Sequence, residues 1–147
     1  MPAQNTAIPA SLLRRLAASV YDLLLLAGLW MLAGLAVLGP RGGEAVPAGT
    51  YWFQALLLAL TAAFYIGFWT RGGQTLGMRS WRLRVERRDG RPLGLATASL
   101  RLLASLVSLA PAGLGLLWIL VDADKLAWHD RLTDSRVVVL SREEARR

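Results

Sequence analysis

The stretch that decides the fold is Leu16–Leu38, LAASVYDLLLLAGLWMLAGLAVL, in which Asp22 is the only charged residue. A helix needs about 20 apolar residues to cross the roughly 30 Å hydrocarbon core of a bilayer. Two further stretches, Tyr51–Trp69 and Leu102–Val121, are long enough and carry no charge. A soluble chain of 147 residues has too small an interior for three helices that are apolar on every side. The sequence therefore predicts a single membrane domain, an all-α bundle of three apolar segments.

The composition supports a membrane location and excludes several classes of function. Hydrophobic residues make up 54% of the chain and charged residues only 18%, whereas soluble domains carry roughly 25% charged residues. There is no cysteine, and the single histidine, His129, cannot form a multi-histidine metal site. No combination of serine, histidine and carboxylate suits nucleophilic catalysis. We therefore predict neither an enzyme nor a bound metal or cofactor.

The placement of the basic residues predicts the topology. The net charge is +7, and the arginines flank the apolar segments rather than alternating with aromatic residues, which favours an anionic membrane surface over nucleic acid. Arg14 and Arg15 precede the first segment, the loop 39–50 has only Arg41, and the loop 70–101 has eight arginines. By the positive-inside rule, we predict a multi-pass protein with a cytoplasmic N-terminus and a cytoplasmic second loop.

The third segment has a break near its middle. Pro111, Gly113 and Gly115 interrupt it, and a proline inside a helix removes a hydrogen bond and clashes with the preceding turn. Either the segment is one kinked crossing, or two half-helices enter the membrane and return to the same side. A re-entrant path keeps 16 of the 17 basic residues on the cytoplasmic side, including those of the charged tail 141–147. We therefore favour a cytoplasmic tail, and the path of the third segment stays open between the two.

Two short segments have strand character. Apolar and charged residues alternate over 81–86, the Asp89-Gly90 pair predicts a turn, and 136–140 is rich in β-branched residues. Because isolated strands are unstable, we predict that the two segments pair in a small cytoplasmic β-sheet. This pairing would place Asp89 and Arg147 on the same side of the membrane.

The second apolar segment has a face of small residues. Interfacial aromatic residues stand at both of its ends, as expected for a spanning helix. Between these ends, small residues recur at every fourth position, a spacing that lets another helix approach closely. This face comprises Ala55, Ala59, Ala63 and Gly67. We predict that it packs against another helix, most simply in a homo-oligomer within the bilayer.

Asp22 requires a partner because a carboxylate inside an apolar helix costs roughly 2.5 to 3.5 kcal/mol on insertion scales. Arg15, Ser19 and Asp22 lie on one helical face, but Arg15 is about 10 Å away along the axis. The second partner must therefore come from another segment. Arg101 lies at a similar depth if the third segment enters from the cytoplasm. We expect Asp22 to contact Arg101, with Arg15 nearby, as either a proton or ion relay or a structural ion pair.

The tail contains a group of acidic residues around the single histidine. Its members are Asp122, Asp124, His129, Asp130 and Asp134. Oxygen ligands of this kind suit a weak divalent-cation site. The alternative, which we favour, is that they cap helices and form salt bridges with Arg131 and Arg136.

The order of several short motifs resembles the RDD family of membrane proteins. The resemblance covers about 12–140 and rests on Arg15 followed by Asp22, then Gly73–Arg79, Asp89–Leu93, Trp128–Arg131 and Thr133–Val138. The family is named for one arginine and two aspartates, so the resemblance implies that these are Arg15, Asp22 and Asp130, with Asp122 as the competitor for the last. It further implies a prokaryotic cytoplasmic membrane and transport of an unidentified ligand.

Two functions remain as hypotheses. The first is a small transporter or ion exchanger that uses the polar cluster and forms an oligomer, because three short segments cannot enclose a pathway alone. The second is a non-catalytic scaffold or accessory subunit whose basic loop binds anionic lipid or a partner protein. The sequence names neither an ion nor a small-molecule ligand.

Overall fold

Two long helices dominate the structure, a computed structural model that describes residues 7–146. Helix α1 covers Leu12–Leu38 and helix α2 covers Tyr51–Arg71. Both are long and apolar enough to cross a membrane, as the first two predicted segments require. Helix α1 begins before the predicted Leu16 because leucine and arginine are strong helix formers. Arg147, which belongs to the predicted charged tail, lies outside the described residues.

The third apolar segment is broken into two helical pieces. A short helix α3, Leu76–Ser80, follows α2, and α4 covers Leu95–Leu109. After the break, α5 covers Leu114–Leu117 and continues as a 3-10 helix over Trp118–Leu120. The two pieces are bent by 100°. The break predicted at Pro111 is confirmed.

The helix that contains the predicted start of the third segment, Leu102, is longer than that segment at its N-terminal end. The helix begins at Leu95 and includes Arg101, which the prediction had placed outside the apolar segment. The charge of Arg101 does not end the helix because Asp130 neutralises it inside the protein. Residues 7–146 contain two helices of spanning length, or three spans if the bent pair is one span.

A small antiparallel sheet joins segments that are distant in the chain. Strand β1 is Ile8–Pro9, β2 is Leu83–Arg87 and β3 is Ser135–Val139, in the order β1-β3-β2. The register pairs Leu83 with Val139 and Arg87 with Ser135. The predicted contact between the two strands is confirmed, and the sequence analysis missed β1. Strand β2 begins after the predicted Trp81 because Arg82 adopts a left-handed backbone with φ of 55°.

The apolar core lies where the sheet meets the helices. It is built mostly from small and medium side chains, namely Ala10, Ala18, Trp69, Met78, Leu83, Val85, Leu93, Ala98 and Val137. Away from the sheet the long helices leave large apolar residues uncovered, for example Leu24 at 69% and Leu58 at 70% exposure. Exposed apolar surface of this extent fits a lipid environment rather than water.

Both ends of the bent segment lie beside the same sheet. Strand β2 precedes α4, and β3 follows the helix α6, Trp128–Leu132, which comes after the bent segment. Helix α6 packs back onto α4, where the backbone N–H of His129 donates to Ser108 Oγ at 3.1 Å. The chain after the bent segment therefore runs back along α4, toward the start of that helix.

Candidate functional site

The side chain of Asp130 is fully buried and contacts two arginines from two different helices. Arg15, in the first turns of α1, donates from Nη1 to Oδ2 at 2.6 Å. Arg101, in the middle of α4, donates from Nη2 to Oδ1 at 2.7 Å. The exposed fraction of the Asp130 side chain is 0%, and those of the two arginines are 7% and 4%. One carboxylate therefore joins α1, α4 and α6 away from solvent.

The position of Asp130 is fixed in part because its carboxylate also caps the N-terminus of α6. The backbone N–H of Ala127 donates to Asp130 Oδ2 at 3.0 Å, which satisfies one of the free donors at the start of the helix. Burial alone would raise the pKa of Asp130, but the charges of Arg101 and Arg15 and the Ala127 N–H outweigh it and hold this pKa well below its usual range. Asp130 is therefore an anion with two cationic partners.

The remaining donors of the two guanidinium groups are largely bound to protein. Arg15 donates from Nε to the carbonyl of Ala10 and from Nη2 to the carbonyl of Lys125, both at 3.3 Å. Arg101 donates from Nη1 to Ser135 Oγ, and its guanidinium carbon lies 5.4 Å from the centre of the Trp69 ring. The two arginines are thus held on several sides, as expected for a rigid structural cluster.

His129 lies at the edge of this cluster and stays neutral. Its Nε2 is 3.6 Å from Asp130 Oδ1. Burial lowers the pKa of His129 to about 4, and the charges of Arg101 and Arg15 act in the same direction, against the opposing effect of Asp130. The neutral imidazole adds no third positive charge to a cluster that already has two.

Asp22 is bound in a different way, by neutral donors only. Its Oδ2 accepts from Thr75 Oγ1 at 2.5 Å, and its Oδ1 accepts from the backbone N–H of Gly77 at 2.9 Å. Among the described residues, no cationic group lies within ion-pair distance of this carboxylate. The Asp22 side chain is nevertheless buried, with only 3% of the residue exposed.

The segment that binds Asp22 depends on one hydroxyl and one glycine. Thr75 precedes α3 and accepts from the backbone N–H of Met78 at 3.1 Å, so its hydroxyl caps that helix while it binds Asp22. A Cβ atom on Gly77 would lie 2.2 Å from the carbonyl oxygen of Ala18 in α1. Only glycine lets α3 approach α1 closely enough for the backbone N–H to reach the carboxylate.

These contacts correct the predicted pairing. The expectation that Asp22 binds a polar group outside its own helix is confirmed, but the expected partner Arg101 was wrong. Both Arg101 and Arg15 bind Asp130, which the returning chain brings between α1 and α4. Thr75 and Gly77 were not predicted as partners of Asp22, although the threonine in front of a short helical segment was a signal for a cap.

Two of the predicted supporting residues lie outside the cluster. Ser19 is exposed, and its Oγ donates to the backbone carbonyl of Arg15 at 2.9 Å, within its own helix. Asp122 binds Arg131 Nη2 at 2.5 Å and accepts from the backbone N–H of Leu126 at 2.9 Å. The Leu126 N–H, followed by Arg131, lowers the pKa of Asp122.

The other predictions for the tail have mixed outcomes. The salt bridge of this acidic group with Arg131 is confirmed, whereas Arg136 binds Glu86 on the neighbouring strand at 2.8 Å instead. Within residues 7–146 no three histidine or carboxylate groups come together so as to hold a metal ion.

The predicted packing face on α2 lies open in the single chain. Ala55, Ala59 and Ala63 are exposed and Gly67 is half-buried. Self-association through this face stays a prediction.

A sequence model of the RDD family matches residues 9–134, most of the chain. The chain belongs to the RDD family. The matched range includes Arg15, Asp22, Asp122 and Asp130 of this RDD protein. The contact between Arg15 and Asp130 supports Asp130 as the second aspartate of the family name, which remains a prediction. No curated protein and no solved structure matches the chain.

Proposed function

We propose that this RDD protein is a small transporter or ion exchanger of a prokaryotic cytoplasmic membrane, and that Asp22 is its exchangeable carboxylate. One observation carries the proposal. Asp22 lies inside a helix of spanning length and is held by two neutral donors, with no cationic partner among the described residues. Ionisable groups in membrane segments mark ion and proton pathways, and an exchange site must release its cation or proton again.

The contacts of Asp22 leave room for such exchange. A carboxylate offers about four lone-pair sites, and the hydroxyl of Thr75 and the N–H of Gly77 occupy only two of them. Because Asp22 has no salt bridge, a proton or a small cation would balance its negative charge. Asp130, in contrast, already has two arginines and cannot gain a proton without stranding their charges.

An oligomer would supply the enclosed pathway that one chain lacks. Two or three spanning elements do not surround a pore, and the small-residue face defined by Ala55, Ala59, Ala63 and Gly67 is open for a second copy. We infer a homo-oligomer in which this face brings several chains together in the bilayer.

The topology that fits this function has the sheet on the cytoplasmic side. Eight arginines in the loop 70–101 favour that side, whereas the loop 39–50 has one. The strands before and after the bent segment pair in one sheet, which supports a re-entrant path with the tail and the N-terminus on the cytoplasmic side.

Labelling of single cysteines in intact cells tests this topology, since the chain has no native cysteine. Ala48→Cys in the first loop should react with a membrane-impermeant maleimide, whereas Ser80→Cys and Ser141→Cys should react only after permeabilisation. All three residues are exposed. Reaction of Ser141→Cys but not Ser80→Cys in intact cells would establish a complete third crossing.

Ion flux into proteoliposomes tests the transport function. Vesicles that contain the full chain and a pH-sensitive dye are given inward gradients of Na⁺, K⁺ or Li⁺, and the parent should exchange at least one cation for protons. Asp22→Asn should abolish this exchange, because asparagine keeps the hydrogen bonds but cannot gain or lose a proton. Asp124→Asn, at an exposed carboxylate in the tail, is the matched control and should retain it. Equal flux in Asp22→Asn and the parent would remove Asp22 from the pathway.

A second candidate is a membrane scaffold or accessory subunit, favoured by a separate observation. Arg14, Arg71, Arg79 and Arg82 form no ion pair with any described residue, so the basic surface is available to anionic lipid or an acidic partner. If the parent protein exchanged none of the cations, the scaffold or accessory function would be favoured over transport.

A further inference from the structure

A groove runs along the end of α2 where the loop to α3 leaves the helix. It encloses about 220 Å³ and is lined mainly by Ala63, Phe64, Gly67, Phe68, Arg71 and Arg79. Its lining residues include no acidic side chain. The groove lies on the outside of the protein, apart from both buried aspartates.

The two halves of the groove differ in chemistry. Toward the middle of α2 its walls are the rings of Phe64 and Phe68, which contact each other edge to face at 5.0 Å between ring centres. Ala63 and Gly67 line the same part of the groove without large side chains. This half matches an acyl chain in size and polarity.

The other half of the groove is cationic. Arg71 lies in the last turn of α2, and its Nη1 is 3.5 Å from the position of a Cβ on Gly67, so the guanidinium folds back over the groove. Arg79, in α3, also lines the groove. Neither arginine forms an ion pair with a described residue. Two guanidinium groups without an ion pair that line one apolar groove offer hydrogen-bond donors to an anion.

We propose that this groove binds an anionic phospholipid, with the phosphate between Arg71 and Arg79 and an acyl chain along Phe64 and Phe68. Arg71 ends a helix of spanning length, so this end of the groove lies at the headgroup level of a bilayer. Basic pockets beside membrane helices bind anionic headgroups in this way. The inference goes beyond the transport function and does not depend on it.

The chemistry of the groove argues against other occupants. A free phosphate would use the arginines but not the aromatic walls. A second copy of α2 would bring another Arg71 toward this end, where like charges repel. In the proposed oligomer the lipid would occupy the end of the small-residue face at Ala63 and Gly67, and a second copy would contact the other end of that face, at Ala55 and Ala59.

Native mass spectrometry of the full chain in mild detergent tests the site with phosphatidylglycerol and phosphatidylcholine of equal chain length. The parent should bind phosphatidylglycerol more tightly, and Arg71→Gln with Arg79→Gln should weaken that binding on the order of 10- to 30-fold. The matched control, Arg87→Gln with Arg91→Gln, removes the same charge from exposed positions that contact only Asp89, and should retain binding. An equal loss in both double variants would show diffuse charge attraction and overturn the proposal.

A steric variant keeps the test decisive if the loss of both arginines disturbs folding. Ala63→Leu fills the apolar half and should weaken phosphatidylglycerol binding, whereas Ala27→Leu, at an exposed position on α1 outside the groove, should not. Circular dichroism verifies the helix content of each variant. Competition by inorganic phosphate at the affinity of the lipid, or a change in oligomeric state without a change in lipid binding, would also overturn the proposal.

Discussion

Asp22 and Asp130 are both buried aspartates of the same chain, yet their surroundings are opposite. Asp130 accepts from two arginines and a backbone N–H, and Asp22 accepts from a hydroxyl and a backbone N–H only. A carboxylate with two guanidinium partners must stay ionised because its protonation would leave buried charges unpaired. A carboxylate with neutral donors has no such constraint. Under the proposed function, Asp130 is therefore a structural anchor, and Asp22 is the group that changes its charge.

The largest expected effect comes from breaking the anchor. Asp130→Asn leaves Arg15 and Arg101 buried without a counterion and should lower the free energy of unfolding by about 3–5 kcal/mol. Thermal unfolding in detergent measures this change. Adding Arg101→Met to Asp130→Asn removes one uncompensated charge and should recover part of the loss. Full stability of Asp130→Asn would contradict an anchoring role.

The contact that holds Asp22 is sensitive to a single methyl group. In Gly77→Ala the new Cβ would lie 2.2 Å from the Ala18 carbonyl and 2.8 Å from Asp22 Oδ1, so α3 must move away from α1. Overpacking of this kind costs about 1–3 kcal/mol, and we expect the upper end of that range. Gly72→Ala is the control, since its Cβ would meet no atom within 4 Å. Equal unfolding temperatures for the two variants would argue against close packing at Gly77.

The charge balance around Asp130 also predicts a pH effect through His129. Its pKa is lowered to about 4 in the folded protein, below the unfolded value of 6.5, so acid protonates the unfolded chain first. This contribution to stability is complete above pH 6.5 and is lost as the pH falls toward 4, about 2 kcal/mol at pH 5.

A variant isolates this contribution from that of the carboxylates. His129→Gln should unfold with a weaker dependence on pH between 6.5 and 4 than the parent, as measured by denaturation at several pH values. Parallel pH profiles for the two proteins would mean that His129 is not held neutral by its surroundings.

The smallest effect on stability is expected at Asp22 itself. Asp22→Asn keeps an acceptor for the Gly77 N–H and a polar partner for Thr75, so the free energy of unfolding should change by about 1 kcal/mol or less. Thermal unfolding in detergent compares the stability of Asp22→Asn with that of Asp130→Asn. A loss as large as that of Asp130→Asn would make Asp22 a second anchor and remove the contrast between the two sites.

Much of the fold could be predicted because local patterns determine it. Uncharged runs of spanning length require helices in a bilayer, and Pro111 breaks a helix wherever the helix lies. The alternation before Asp89-Gly90 and the β-branched run near the C-terminus predicted two strands, which do pair. Strand β1 was missed because two residues around Pro9 carry no pattern and owe their conformation to β3.

Sequence alone showed that Asp22 would need a partner and named Arg101 and Arg15 as candidates, because charge is costly away from water whatever the fold. It did not determine which of them meet. Arg15 and Asp130 are separated by 115 positions, and their contact exists only because the bent segment returns α6 to the start of α1. Asp22 binds Thr75 and Gly77 instead, because α3 occupies the space that Arg101 had been expected to reach. Depth along a helix follows from the sequence, but the choice among partners at one depth depends on how the elements pack.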